Sequence, residues 1–460
     1  MDETTIAALA TSPAPAGVAV VRVSGQKTRL VLEKVFKGRK DPESRARELV
    51  FGDFLDAPSG ERIDAGLAVF MPGPASFTGE DVAEFQCHGS PVLVKQLLRS
   101  IYACGVLPAP AGEFTRRAFL NGKIDLTQAE AIADVVHAKG EEELRFAEEQ
   151  LHGRLSTVLA EIGEPLRNTL AEIEASIDFP EEDIRPDALK VLEERAQIAV
   201  ERIDKMLATY EFGSLVRDGV RVLLCGRPNS GKSSLLNRLL GKDRAIVSDI
   251  SGTTRDLIED HATIGGHAFI FCDSAGIRET EDHVEKIGVE LAKERLSWAD
   301  IVLFVVDATE DEQLLEETLS MLLRASTEVW LVANKVDLLS GKAWACSRLT
   351  DRCARTVMLS AKTGEGVADL MKGLVSHIET VAPIEGDVGE TITNERHRDC
   401  LLRAVDALRE CRLLLATVGV PLSIVGTELR RALEALDEIV GKTYTEDILG
   451  RIFSKFCIGK

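Results

Sequence analysis

Apolar residues change their spacing as the chain proceeds. Up to about residue 120 they form short β-like runs, Val18 to Val23 and Ala65 to Phe70, between turn-rich stretches such as Met71-Pro72-Gly73-Pro74. That texture predicts a small α+β domain over residues 1–120. From about Asn121 the period becomes helical. Leu155, Val158, Leu159 and Ile162 stand at i, i+3, i+4 and i+7, and Leu166, Leu170, Ile173 and Ile177 repeat the stripe. Pro180 and Pro186 punctuate this helical part, assigned to residues 121–217.

Between residues 218 and 382 the runs lose their polar alternation: Arg221–Cys225, Ala268–Cys272, Ile301–Val306, Val329–Ala333 and Thr356–Leu359 are apolar almost throughout. Such runs suit strands of a mostly parallel sheet covered by helices on both faces. Asp260–Ile264 and His267–Cys272, joined by Gly265-Gly266, read as a hairpin. Over 383–460 helices resume, with Leu402, Val405, Leu408, Cys411 and Leu415 on one stripe and Leu429, Leu433, Leu436 and Ile439 on another. The predicted fold is multidomain, α+β and α/β. A helical domain in two sequence parts is interrupted by an inserted Ras-like P-loop domain.

Composition narrows the class. The chain is 45% hydrophobic and 28% charged, the balance of a globular protein. Asp2 and Glu3 stand where a secretory signal carries Lys or Arg. The uncharged stretch Leu413 to Thr427 is short for a bilayer and broken by Gly419, Pro421 and Gly426. A cytoplasmic protein without a membrane partner is expected. Nine cysteines include no CxxC pair, which argues against a disulfide framework and a zinc site. A net charge of −20 speaks against a protein that coats nucleic acid by itself. Any RNA contact must use a local patch or a partner's surface.

The chemistry sits in the apolar-run region. Gly226-Arg227-Pro228-Asn229-Ser230-Gly231-Lys232-Ser233 fits GxxxxGKS between a predicted strand and the helical run Ser234–Leu240. Its glycines let backbone N–H groups curl around a β-phosphate, Lys232 neutralises phosphate oxygens, and the Ser233 hydroxyl ligates Mg²⁺. Asn229, Ser230, Gly231, Lys232, Ser233 and Ser234 are the expected phosphate contacts. Asp273-Ser274-Ala275-Gly276 closes the second run, where a carboxylate can hold Mg²⁺ through water and a glycine N–H can sense a γ-phosphate. Asn334-Lys335-Val336-Asp337 ends a later run, and the Asp337 carboxylate can accept both the N1–H and 2-amino groups of guanine. Ser360-Ala361-Lys362 then backs the base. Four motifs in this order, each at a strand's C-terminal edge, point to GTP.

Two details bear on hydrolysis. Ile277 occupies the place where Ras-type enzymes carry the glutamine that orients water. Glu285, in the stretch Asp282-His283-Val284-Glu285-Lys286, is a candidate for that task; its alternative is a solvated charge. The Asn229 side-chain carbonyl could ligate a monovalent cation beside the phosphates, supplying the charge an arginine finger would bring.

Together with Gly252-Thr253-Thr254-Arg255-Asp256, these motifs resemble the potassium-activated, dimerising GTPases. Phe77-Thr78-Gly79-Glu80-Asp81, His88-Gly89, Gly112-Glu113-Phe114-Thr115, Arg117-Ala118-Phe119-Leu120-Asn121-Gly122-Lys123 and the final Cys457-Ile458-Gly459-Lys460 resemble the MnmE (TrmE) family of tRNA-modification GTPases. The resemblance implies that Asn229, Ser248, Ile250 and Thr253 hold K⁺ and that Ser233 and Thr254 hold Mg²⁺. The loop Ser248, Asp249, Ile250, Ser251, Gly252, Thr253 and Thr254 would close on GTP, with Glu285 orienting or activating water. It further implies that Arg22, Glu84, Lys123 and Lys460 contact 5-formyltetrahydrofolate or a related reduced folate in the N-terminal domain. The implied assembly is a homodimer that works with the flavoprotein MnmG (GidA), as a heterotetramer or larger complex, on the wobble uridine of certain tRNAs.

The chain departs from that pattern at Ser12-Pro13-Ala14-Pro15-Ala16-Gly17, which has lost the family's glycines, and at Ser248, where threonine is common. Cys457 lends itself to two readings. A thiolate near Lys455 and Lys460 could add to the uridine ring or to a one-carbon intermediate; a packed, inert thiol is the other. The rival for the whole chain is a ribosome-assembly GTPase without one-carbon chemistry. A prenylation box at Cys457 is disfavoured by Gly459 and the final Lys460.

Overall fold

Burial alternates along β2 (Ala16–Ser24): Ala19, Val21 and Val23 are buried while Val20 and Arg22 are only partly so. That is the period of a sheet covered on one face. The computed structural model describes residues 4–178, 186–241, 259–273, 296–324, 328–339, 344, 347–381 and 388–460. These fall into two compact units.

The first unit comprises residues 1–133, 150–164 and 433–460. Its sheet is formed by β1 (Ile6–Leu9), β2, β3 (Phe36–Gly38), β4 (Val50–Leu55), β5 (Arg62–Met71), β6 (Val82–Gly89) and β7 (Leu107–Pro108). The order is β3-β4-β5-β6-β2-β1-β7, antiparallel except for the pair β1–β7. Helices Thr28–Val35 and Pro91–Ala103 cover one face, setting Val31, Leu32, Leu97 and Ile101 against Val21, Val23, Phe70 and Phe85. A second small core joins Phe119, Leu126 and Ala129 to Leu449, Ile452, Phe453 and Phe456.

The second unit comprises residues 134–149 and 165–432. Its sheet contains β8 (Val220–Cys225), β9 (Glu259–Ile264), β10 (His267–Asp273), β11 (Ile301–Asp307), β12 (Glu328–Asn334) and β13 (Arg355–Met358). The order β13-β12-β11-β8-β10-β9 is parallel apart from the β9–β10 hairpin. The expected hairpin and apolar runs are present. Alternate residues of each run feed different cores. Ile301, Leu303, Val305, Trp330 and Val332 face helices Lys232–Leu240 and Val367–Val381, whereas Val302, Phe304, Val306 and Leu331 face helix Glu312–Leu323.

Three sequence expectations shift. Boundaries were drawn at 120, 217 and 382, yet residues 134–149 belong with the P-loop sheet and 433–460 with the N-terminal sheet. The first allegiance has a local cause. Phe146 packs edge-on against Phe212 at 6.1 Å, and Gly140 lacks the Cβ that would lie 2.8 Å from the carbonyl oxygen of Gly266. In helix Glu395–Ala416 the buried stripe runs through Leu401, Ala404, Val405, Leu408 and Cys411, and Leu402 is exposed. Helix Pro186–Ala208 packs along that stripe and selects the Leu401 side. Ile177, expected to extend the stripe of helix Arg154–Asp178, is also exposed. Among the described residues no helix is long and apolar enough to cross a membrane.

Candidate functional site

Parallel strands deliver the motif residues to one edge. The loop Gly226–Gly231 follows β8, Asp273 ends β10, Asp307 ends β11, Asn334 ends β12 and Ser360 lies just past β13. The loop needs its glycines. Gly226 has φ +151 and a Cβ there would meet the Val305 carbonyl oxygen at 2.1 Å; Gly231 has φ +97 and a Cβ on it would meet the Asn334 Nδ2 at the same distance. Asn229 also takes a left-handed conformation, φ 65, and is exposed at the loop's outer rim. Such a run of backbone turned around one centre presents N–H groups to an anion at the N-terminus of helix Lys232–Leu240.

Lys232 is 7% exposed, and its Nζ donates to the carbonyl oxygens of Gly226 and Arg227, both at 3.0 Å. The ammonium is therefore tethered across the mouth of the loop. Ser233, exposed beside Ser234, donates its hydroxyl to Asp273 Oδ2 at 3.0 Å. A hydroxyl and a carboxylate meeting at the foot of the loop are oxygen donors of the kind a Mg²⁺ that keeps several waters accepts. Among the described residues no group of three or more His, Cys, Asp or Glu is placed to hold a metal ion.

Asn334, 2% exposed, joins three motifs at once. Its Nδ2 donates to the Ser230 carbonyl at 2.8 Å, and its Oδ1 accepts from the N–H groups of Lys335 at 2.8 Å and Ala361 at 2.9 Å. Lys335, with φ 65, sends its ammonium to Asp307 Oδ2 at 2.7 Å. Burial pushes the Asp307 carboxyl up, but hydrogen bonds from Lys335 and Thr309 outweigh it and hold the group below its ordinary range. Asp337 is exposed, so its carboxylate is open to a base edge; Ser360 and Ala361 are buried beside it in the chain's fold, and Lys362 is exposed. Ser248, Asp249, Ile250, Ser251, Gly252, Thr253, Thr254, Ser274, Ala275, Gly276 and Glu285 lie outside the described residues.

In the first unit, register sets Arg22 of β2 opposite Glu84 of β6, and Arg22 Nε meets Glu84 Oε1 at 2.9 Å. The guanidinium lies 5.5 Å from the centre of the Phe77 ring and 5.7 Å from that of Phe114. The Phe114 N–H donates to the Lys460 carbonyl at 3.2 Å, which brings the last residue's main chain to this place. Lys123 donates to the Pro74 carbonyl at 3.0 Å. Cys457 is exposed on a segment bridged through Ile458 to Ala111. Sequence reasoning did not single out Arg117. This 4%-exposed guanidinium binds Glu113 and Glu80 at 3.0 Å each, so it ties the motif stretches carrying Phe114 and Phe77 together. Its signal was present in the clustering of charged residues inside apolar motifs.

A mostly parallel sheet with a glycine loop, a serine–aspartate pair and an asparagine-stapled base loop defines a P-loop GTPase. Comparison makes this specific. The family description "MnmE helical domain" matches residues 126–457 and "GTP-binding protein TrmE N-terminus" matches 5–123. The tRNA modification GTPase MnmE of Geobacter sulfurreducens is 40% identical over 100% of this chain and 99% of its own length. The protein of the same name from Clostridioides difficile is 40% identical over 99% of each chain. Among solved structures, the FeoB G domain of Methanococcus jannaschii is 26% identical, with 35% of this chain and 97% of that one covered and a TM-score of 0.28. The chain belongs to the MnmE (TrmE) family of tRNA modification GTPases. It is a GTP hydrolase acting in tRNA modification.

Proposed function

We propose that the protein is a potassium-activated GTPase which, with a flavoprotein partner of the MnmG (GidA) kind, adds an aminomethyl-type group to the wobble uridine of certain tRNAs, using a reduced-folate carbon donor. The observation that carries the GTPase half is the Ser233–Asp273 contact at 3.0 Å beneath the loop that holds Lys232. Lys232 exchanges its two carbonyl partners for phosphate oxygens, and Ser233 and Asp273 hold Mg²⁺, directly and through water. Asn334, Asp337 and the Ser360–Lys362 loop take guanine. Bound K⁺ supplies positive charge near the transferring phosphoryl group; Asn229 holds it with Ser248, Ile250 and Thr253, while Thr254 joins the Mg²⁺ set. Glu285 positions the attacking water.

For the one-carbon half, the support is the meeting of Arg22, Glu84, two aromatic rings and the Lys460 main chain in one place. Arg22 offers donors to ring carbonyls or the anionic glutamate tail, and Glu84 accepts from a pterin's N–H groups. Lys123 and Lys460 add positive charge. Cys457 serves the RNA chemistry, and the active form is a cytoplasmic homodimer. Nucleoside analysis of tRNA from a deletion strain, with and without the restored gene, tests the reading. Loss of the wobble modification and its recovery are expected; unaltered tRNA in the deletion strain would overturn it.

A further inference from the structure

Helix Lys232–Leu240 carries, beyond the phosphate-loop residues, an arginine with no part in the motifs. Arg238 Nε donates to the Ala361 carbonyl at 3.1 Å, and its Nη2 donates to the Lys362 carbonyl at 2.5 Å. Two successive carbonyls of the base-backing loop are thus held by one planar guanidinium. Arginine presents its donors in a rigid fork; lysine offers one flexible ammonium. Space for the fork comes from Gly364, φ +94, where a Cβ would lie 3.3 Å from Arg238 Nη1.

We propose that Arg238 is a positioning residue for the guanine nucleotide, a clamp that sets how long GDP and GTP stay bound. The helix and the phosphate loop form one continuous piece of backbone, because helix hydrogen bonds begin within the loop: the Leu235 N–H donates to the Gly231 carbonyl at 2.9 Å. Among the described residues the loop Ser360–Lys362 is joined to that piece at two points. One is internal, where Asn334 bonds both the Ser230 carbonyl and the Ala361 N–H. The other is Arg238. In a trans peptide the Ala361 C=O and the Lys362 N–H point to opposite sides. Anchoring the carbonyl to the helix therefore directs that N–H away from it and fixes the plane of the peptide. The next turn is fixed too, since the Thr363 N–H donates to Ser360 Oγ at 3.2 Å. A nucleotide bridging the two halves leaves only when they part, and each added tie slows that parting. Arg238 touches no phosphate-contacting side chain in these hydrogen bonds, so its effect falls on retention rather than on the chemical step.

The clamp rests on the guanine-nucleotide reading of the site, and one experiment separates the two. Release of a fluorescent GDP analogue is followed by stopped flow from the full-length protein, Arg238→Ala and Arg238→Lys, alongside steady-state GTP hydrolysis. The alanine variant should release the analogue on the order of tenfold faster and raise KM for GTP by a similar factor, from the loss of two charge-assisted hydrogen bonds. Its kcat should stay within about twofold, and Arg238→Lys should fall between. All rates are read well below each variant's melting temperature, so unfolding does not count as release. Release by Arg238→Ala within about twofold of wild type, or a loss confined to kcat, overturns the clamp. Wild-type protein that does not bind the analogue overturns the nucleotide reading instead.

Discussion

Replacing Asn334 by alanine tests whether the site is one structure or several adjacent loops. The side chain is 2% exposed and makes hydrogen bonds of 2.8, 2.8 and 2.9 Å to Ser230, Lys335 and Ala361. Alanine removes all three and leaves a carbonyl and two N–H groups to find new partners. A buried polar group left unsatisfied costs roughly 1–3 kcal/mol, and part of that returns as the loops relax toward water. A net effect of about 3 kcal/mol follows, which on the binding side is on the order of a hundredfold in GDP affinity. Asn334→Asp sharpens the test. It keeps an acceptor for Lys335 and Ala361 but turns a carboxylate oxygen toward the Ser230 carbonyl, so it should do no better than alanine. Calorimetric titration with GDP and thermal unfolding with and without nucleotide give both quantities. If Asn334→Ala binds GDP within about threefold of wild type, the three loops are held by other contacts and the staple argument fails.

Other outcomes follow from separate parts of the molecule. Burial, with Asp134 adding and the Lys139 and Gly140 N–H groups opposing, pushes the Glu143 carboxyl up to about 7 from 4.5. The fold binds the extra proton between those values, so its ionisation costs stability as pH rises through that window. Glu143→Gln should gain about 1–2 kcal/mol over wild type between pH 5 and pH 8, after allowance for solvent screening; an offset in melting temperature equal at both pH values would refute this. Gly459→Ala should release the final segment, because φ is +97 and the new Cβ would lie 2.0 Å from the Leu9 carbonyl oxygen. Faster amide exchange at Phe114 and Ile458 is the readout, and unchanged protection would sink the claim. Under the potassium reading, hydrolysis runs much faster in K⁺ than in Na⁺, and Asn229→Ala removes that preference while GDP still binds; equal wild-type rates in both salts would end it. Cys457→Ser should leave K⁺-stimulated hydrolysis intact and yield tRNA without the wobble modification, whereas normal modification would make the thiol structural.

What could be read from the sequence divides along the range of the interactions. The parallel strands were legible because each is buried on both faces, so the apolar run in the sequence is itself the physical requirement. The phosphate loop and the base loops were legible because each is contiguous: Gly231, Lys232 and Ser233 act through backbone that they themselves form. The ties between them were not. Arg238 and Ala361 are 123 residues apart, and neither position is unusual for its own element. Stripe phase failed at Leu402 for a related reason. A period locates a helix's apolar side to within a residue or so, but only the partner helix decides between Leu401 and Leu402. The N-terminal site shows the limit most clearly. Arg22 and Glu84 are both expected as ligand contacts, yet the β2–β6 register makes them each other's partner first. Under the folate reading, the ligand would bind to an ion pair. Arg22 gives its Nε to Glu84, and among the described residues its Nη groups are left as donors and the second Glu84 oxygen as an acceptor. Recognition by that pair would be set by geometry, with little net charge to attract a ligand. Under that reading, long-range attraction for an anionic tail would rest on Lys123 and Lys460, and the close approach of Gly459 to Leu9 helps to set where the Lys460 main chain lies.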